Sequence, residues 1–104
     1  MKRILLLLAT VLALKAQTVS GVISGLVQDT DRAAVTGSTI TVRNEKTGQL
    51  REAHTSETGS YTINNLAAAS YTIHIETPGF ADIDREGITL GVGQQIAVNF
   101  VVVP

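Results

Sequence analysis

Between Gln17 and Pro104, apolar and polar residues alternate over short stretches rich in Val, Ile and Thr, and Gly-containing turns interrupt them every eight to twelve residues. No stretch carries the 3.6-residue apolar stripe of a helix, so the pattern predicts an all-β sandwich or small barrel of about seven strands. The clearest strand is Ser70–Thr77, which sets Tyr71, Ile73 and Ile75 on one face against Thr72, His74 and Glu76 on the other. Ser38–Asn44 alternates Ile40 and Val42 with Thr39, Thr41 and Arg43, and Gly21–Asp29 places Ile23 and Val27 on one face with Gly25 between them. A glycine there lets a second strand or a bulge approach the backbone closely. Asn44–Gly48 supplies turn residues, with Gly48 suited to a positive φ, so Gln49–Thr55 is predicted to return as the second arm of a hairpin. Ser60–Asn64 points Tyr61 and Ile63 one way, and Phe80–Leu90 follows the Pro78-Gly79 turn with Ile88 and Leu90 as expected core contacts.

The last stretch, Gln94–Val103, sets Ile96, Val98, Phe100 and Val102 on one face, while Ala97, Val101 and Val103 make the other face apolar as well. A strand buried on both sides, or covered by a neighbouring module, has this composition. Left bare it is an aggregation hazard, so it is expected to be covered by the rest of a larger protein.

The first sixteen residues break the alternation. Met1-Lys2-Arg3 is a basic start, Ile4–Leu14 is an apolar run of eleven, and Ala16 is a small residue before the polar Gln17. This is the layout of a secretory signal peptide over residues 1–16, cleaved after Ala16, and it is too short to span a membrane because Lys15 ends the run. Residues 17–104 then form one small domain outside the cytoplasm. Removing Lys2, Arg3 and Lys15 leaves five Lys and Arg against nine Asp and Glu, a net charge of −4. The five cations are scattered, which argues against nucleic acid and against an anionic membrane surface as partners.

Candidate chemistry is sparse. The absence of Cys excludes a disulfide framework, a Cys nucleophile, Cys-ligated zinc, an iron–sulfur cluster and a lipid-modified N-terminal Cys. No nucleophile elbow, phosphate loop, paired-His zinc motif or EF-hand loop is present, and Gly91-Val92-Gly93 reads as a hairpin glycine pair, not a dinucleotide fingerprint. His54 and His74 would hold a metal only on neighbouring strands, with both rings on one outer face and Glu52 or Glu76 as a third ligand. Asp29 with Asp31, and Asp82 with Asp84 and Glu86, would gather oxygens for calcium only if their loops met at one end of the sandwich. Solvated strand positions and ordinary turn chemistry explain these residues more simply. No catalytic, cofactor-binding or metal-ligating residue is therefore assigned, and no cofactor is expected.

Ile23-Ser24-Gly25-Leu26-Val27-Gln28-Asp29 resembles the I-x-G-x-V-x-D opening of carboxypeptidase regulatory-like domains, and Val35–Val42 resembles their V-x-G-A-x-V-x-V. Thr55–Ile63, Leu66, Tyr71–Ile75 and Pro78-Gly79-Phe80 are similar to the family's T-D-x-x-G-x-Y-x-I, L-x-x-G-x-Y-x-V-x-V and G-F segments. Ser38 stands where the family usually has Ala, Ala69 where Gly usually precedes the Tyr, and Ala33 or Ala34 where a turn Gly is common. The resemblance implies a seven-stranded antiparallel, transthyretin-like (prealbumin-like) sandwich, grouped with carbohydrate-binding-like and collagen-adhesin B-type modules. Some collagen-adhesin B-type modules carry an internal Lys–Asn amide. Lys46, the only Lys after residue 16, sits in a turn and not in a strand facing Asn99, so no such crosslink is expected.

The family resemblance also implies a non-catalytic accessory domain, found in bacteria at the N-terminus of outer-membrane proteins that resemble TonB-dependent receptors. Two Tyr and two Phe cannot supply the aromatic girdles of a transmembrane barrel, so this chain would be only the front portion. The expected role is a spacer or docking module of a cell-envelope protein, periplasmic, outer-membrane-associated or secreted. The alternative is a small secreted carbohydrate-binding protein. Against it, the chain has no Trp, and Tyr61 and Tyr71 occupy inward registers, where they pack with their hydroxyls at the sandwich edge. Two His at such positions do not assemble an acid–base site, so a transthyretin-related hydrolase ranks last.

Overall fold

The computed structural model describes residues 19–104, and the signal-peptide segment 1–16 lies outside them. The alternating stretches become β1 (Gly21–Gln28), β2 (Thr39–Asn44), β3 (Leu50–His54), β4 (Ser60–Leu66), β5 (Ala69–Glu76), β6 (Ile83–Leu90), β7 (Gln95–Ala97) and β8 (Phe100–Val101). One sheet has the order β4-β1-β7, with β8 also on β1, and the other has the order β3-β2-β5-β6. The inward residues of both meet in a core built on Ile23, Val27, Ile40, Val42, Tyr61, Ile73, Ile75, Leu90, Phe100 and Val102. Period-two alternation is what lets each strand bury one face in that core and leave the other in water.

Two features depart from the expected seven-stranded antiparallel arrangement. The final stretch runs parallel to β1, pairing Ile23 with Ile96 and Val27 with Phe100. It is also broken into β7 and β8 at Val98-Asn99. The Val98 carbonyl accepts the Tyr61 hydroxyl at 2.6 Å. The Leu26 N–H, left without a ladder carbonyl, donates instead to the Asn99 side chain at 2.9 Å. Gly25 makes the approach possible: a Cβ there would lie 1.9 Å from Val98 O. The turn at Gly91–Gly93 likewise joins β6 of one sheet to β7 of the other, so it is a crossover and not the hairpin expected from its glycines. The β2–β3 hairpin forms as expected, with Gly48 at φ 78°.

Ser38, where Ala is usual in the family pattern, is fully buried. Its hydroxyl is 2.7 Å from that of Thr77, and its N–H donates to Thr55 Oγ1. No buried side-chain polar atom among the described residues lacks a partner. Two arginines close the open seams between the sheets. Arg51 on β3 donates to the carbonyls of Asn64 and Asn65 on β4, each at 3.1 Å. Arg85 on β6 lies 4.4 Å over the Phe100 ring and donates to Asn99 O.

Arg85 reaches that seam because β6 carries a bulge. Tyr71 pairs with Ile88, but Ile73 pairs with Arg85, one residue short of continuous register. The extra residue lies opposite Thr72, beside Gly87 at φ 70°. Such a left-handed residue in a bulge is the glycine's proper place. The Gly87 N–H and the Thr72 hydroxyl both donate to Glu45 Oε2 at 2.8 Å, pinning the bulge to the β2–β3 turn. Those two bonds hold the Glu45 carboxyl below its ordinary pKa. A one-residue shift exchanges the faces of a strand. Here it turns Arg85 toward Phe100 and leaves Asp84 opposite His74.

Candidate functional site

The outer face of the β3-β2-β5-β6 sheet carries the polar chemistry. Thr72, His74 and Glu76 occupy the outward register of β5, and antiparallel pairing on β6 sets Asp84 across from His74. His74 Nδ1 is 2.6 Å from Asp84 Oδ1, and its Nε2 is 3.2 Å from Glu76 Oε1 and 3.7 Å from Asp82 Oδ2. The hydrogen bond to Asp84 is the main influence that raises the His74 pKa; partial burial opposes it, and Glu76 and the charges of Asp84 and Asp82 add to the rise. Two shallow depressions lie beside this group. One, of about 480 Å³, is lined by Gly37, Thr39, Glu76, Thr77, Pro78 and Asp82. The other, of about 390 Å³, includes Thr41, Arg43, Leu50, His74 and Asp84.

His54 shares this outer sheet but not this group. Thr39 on β2 pairs with His54 on one side and Glu76 on the other, so a whole strand separates the two histidines. That spacing is about 10 Å between strands two apart, too far for one ion. His54 instead has Glu52 Oε1 3.5 Å from Nε2 and the Thr39 hydroxyl 3.4 Å from Nδ1. The calcium arrangement considered from sequence is not assembled: Asp29 Oδ1 instead accepts the N–H groups of Asp31 and Ala33 in a turn, and Asp84 and Glu86 lie within β6 and not in a loop. Lys46 sits in the β2–β3 turn, where its N–H donates to Asn44 Oδ1, while the Asn99 side chain is engaged by Leu26.

Three of the four aromatic rings are buried and the fourth, Phe80, is partly buried. Tyr61 and Tyr71 are both buried, and the Tyr71 hydroxyl donates to Ala67 O at 2.6 Å. Burial pushes the Tyr61 phenol up to about 12, with a smaller opposing effect of Arg85. Phe100 is buried and Phe80 packs against the core. No flat ring therefore stands free for a sugar to stack on.

The opposite sheet presents apolar surface. Parallel pairing of β1 with β8 sets Gln28 beside Val101, so Leu26, Val101 and Val103 lie along one outward face. They are 39%, 56% and 45% exposed. The same face continues through Ala97 opposite Ser24, and across β1 it meets the polar Ser60 and Thr62 of β4. The β8 edge itself is partly blunted, because Asn99 O accepts Arg85 and Val103 O accepts the Ala81 N–H.

Comparison with known proteins adds four matches. A family model described as the carboxypeptidase regulatory-like domain matches residues 22–103. Serine-aspartate repeat-containing protein I of Staphylococcus saprophyticus is 36% identical over 52 residues, which is 50% of this chain and 3% of that protein. Among solved structures, a candidate carbohydrate-binding protein from Bacteroides uniformis superposes with a TM-score of 0.66 at 23% identity, covering 81% of this chain and 41% of that one. BcpA, the major pilin subunit of Bacillus cereus, superposes with a TM-score of 0.66 at 12% identity over 82% of this chain and 30% of its own. The two structural likenesses show a shared β-sandwich fold. This chain spans less than half the length of each of these proteins.

Proposed function

Because the chain belongs to the carboxypeptidase regulatory-like domain family, matched over residues 22–103, we propose that it serves as a non-catalytic docking module of a larger protein outside the cytoplasm. The observation that carries this reading is the outward apolar stripe of Leu26, Val101 and Val103 along one sheet; Val19, Leu50 and Val92 are exposed outside it, and no buried side-chain polar atom among the described residues lacks a partner. An exposed apolar row on a sheet face marks a surface meant to be covered. The sequence match to part of a much longer serine-aspartate repeat-containing protein and the fold match to part of a pilin subunit support an extracellular setting. Residues 1–16 supply the export signal, and cleavage after Ala16 releases the folded unit. In its finer form the reading makes the domain the front module of an envelope protein resembling a TonB-dependent receptor, with the β1–β8 face seated on the adjoining protein.

Fractionation in the native host tests this. Expressed by itself as residues 1–104, the wild-type protein is expected in the envelope fraction, held by its docking face alone, and Leu26→Ser, Val101→Thr and Val103→Thr together are expected to release a still-folded chain into the soluble fraction. Equal retention of the triple variant would show that this face holds nothing. A glycan array provides the counter-test: dose-dependent capture of one sugar class would favour a secreted carbohydrate-binding protein instead.

A further inference from the structure

We propose that His74, Glu76 and Asp82 form a divalent-cation site, with Zn²⁺ as the fitting ion and Asp84 as the residue that holds the imidazole from behind. One ligand atom from each of the three residues lies within 4.8 Å of the others. Tetrahedral zinc with bonds of about 2.0–2.2 Å places its ligand atoms roughly 3.4 Å apart. The Nε2 separations of 3.2 Å to Glu76 and 3.7 Å to Asp82 lie on either side of that spacing. Small side-chain rotations are enough to close the three around an ion, and a water from the adjoining depressions completes the coordination.

The fourth residue gives the group its direction. Asp84 at 2.6 Å accepts the Nδ1–H and so presents the Nε2 lone pair toward Glu76 and Asp82. With a neutral ring, that lone pair and two carboxylates face one another, which is repulsive unless a proton or a metal ion sits between them. Every ion pair recorded among the described residues involves a histidine, so neither Glu76 nor Asp82 has an arginine or lysine to offset it. Mixed imidazole and carboxylate ligands suit zinc better than magnesium or calcium. His54 provides an internal contrast on the same sheet: one carboxylate, Glu52, a neutral Thr39 hydroxyl 3.4 Å from Nδ1 where His74 has a carboxylate, and more exposure, 62% against 32% for the side chain of His74.

The test is calorimetric titration of the untagged chain with Zn²⁺, together with the imidazole ring signals in NMR. The expected result is one equivalent bound, perturbing His74 and leaving His54 unmoved. His74→Ala, checked as folded by circular dichroism, should abolish uptake, and His54→Ala should leave it intact. Asp84→Asn should keep the stoichiometry and weaken affinity by about 10–100-fold. The proposal is overturned if no zinc binds, if His74→Ala binds as well as wild type, or if Glu76→Gln with Asp82→Asn leaves affinity unchanged.

Discussion

Gly25→Ala is the sharpest perturbation of this fold. The new Cβ would lie 1.9 Å from Val98 O and 2.7 Å from Val98 C, both backbone atoms, and 3.0 Å from a Tyr61 ring carbon. Relief requires β7–β8 to move away from β1. Overpacking of this kind costs about 1–3 kcal/mol. The Tyr61–Val98 bond and the 2.7 Å bond from Val98 N to Ser24 O both depend on the same approach. Each contributes about 1 kcal/mol. Alanine recovers about 0.5–1 kcal/mol of strand entropy, leaving a net loss of about 3 kcal/mol. A domain of this size has about 4–13 kcal/mol in all, so the variant should be folded but far less stable. Urea unfolding followed by circular dichroism measures the loss. Gly87→Ala is the comparison, because a Cβ there meets nothing within 4 Å and only the left-handed backbone opposes it. That penalty is about 1–2 kcal/mol. A Gly25→Ala loss below 1 kcal/mol, or a larger loss at Gly87, would refute the close-approach reasoning.

Two further predictions concern buried polar groups. Tyr61, with its folded pKa raised from 10.0 to about 12, contributes stability that is fully present below pH 10 and is lost as pH rises toward 12, because only the unfolded chain ionises in that window. Stability of the wild type should therefore fall more steeply with pH there than that of Tyr61→Phe; parallel slopes would contradict the assignment. Ser38→Ala should cost about 1–3 kcal/mol by leaving the Thr77 hydroxyl unpartnered, and adding Thr77→Val should recover much of it. Additive losses in the double variant would mean that the two hydroxyls do not depend on each other.

Alternation alone located nearly every strand, since Tyr71, Ile73 and Ile75, or Ile40 and Val42, have one way to bury their side chains. Gly25 was legible for the same reason: a glycine between two core positions implies a close neighbour. Pairing direction was not. Whether Gln94–Val103 runs parallel or antiparallel to β1 depends on the path of the chain between sheets, which local pattern does not encode. The His74 group was hidden by the β6 bulge. Continuous register from Tyr71–Ile88 would put the cationic Arg85 opposite His74, where it has no carboxylate to offer the imidazole, and only the extra residue beside Gly87 replaces it with Asp84. Gly87 in a strand was the available signal, because an isolated strand glycine marks a bulge.

Site-specific photocrosslinking in the native host tests the docking role most directly. A photoreactive residue at Val101, on the apolar face, is compared with one at Thr41, on the opposite sheet. The account predicts one discrete adduct from Val101, identified by mass spectrometry as an extracytoplasmic protein or an adjoining part of the same protein, and none from Thr41. Equal crosslinking from both positions, or none from Val101, would contradict it.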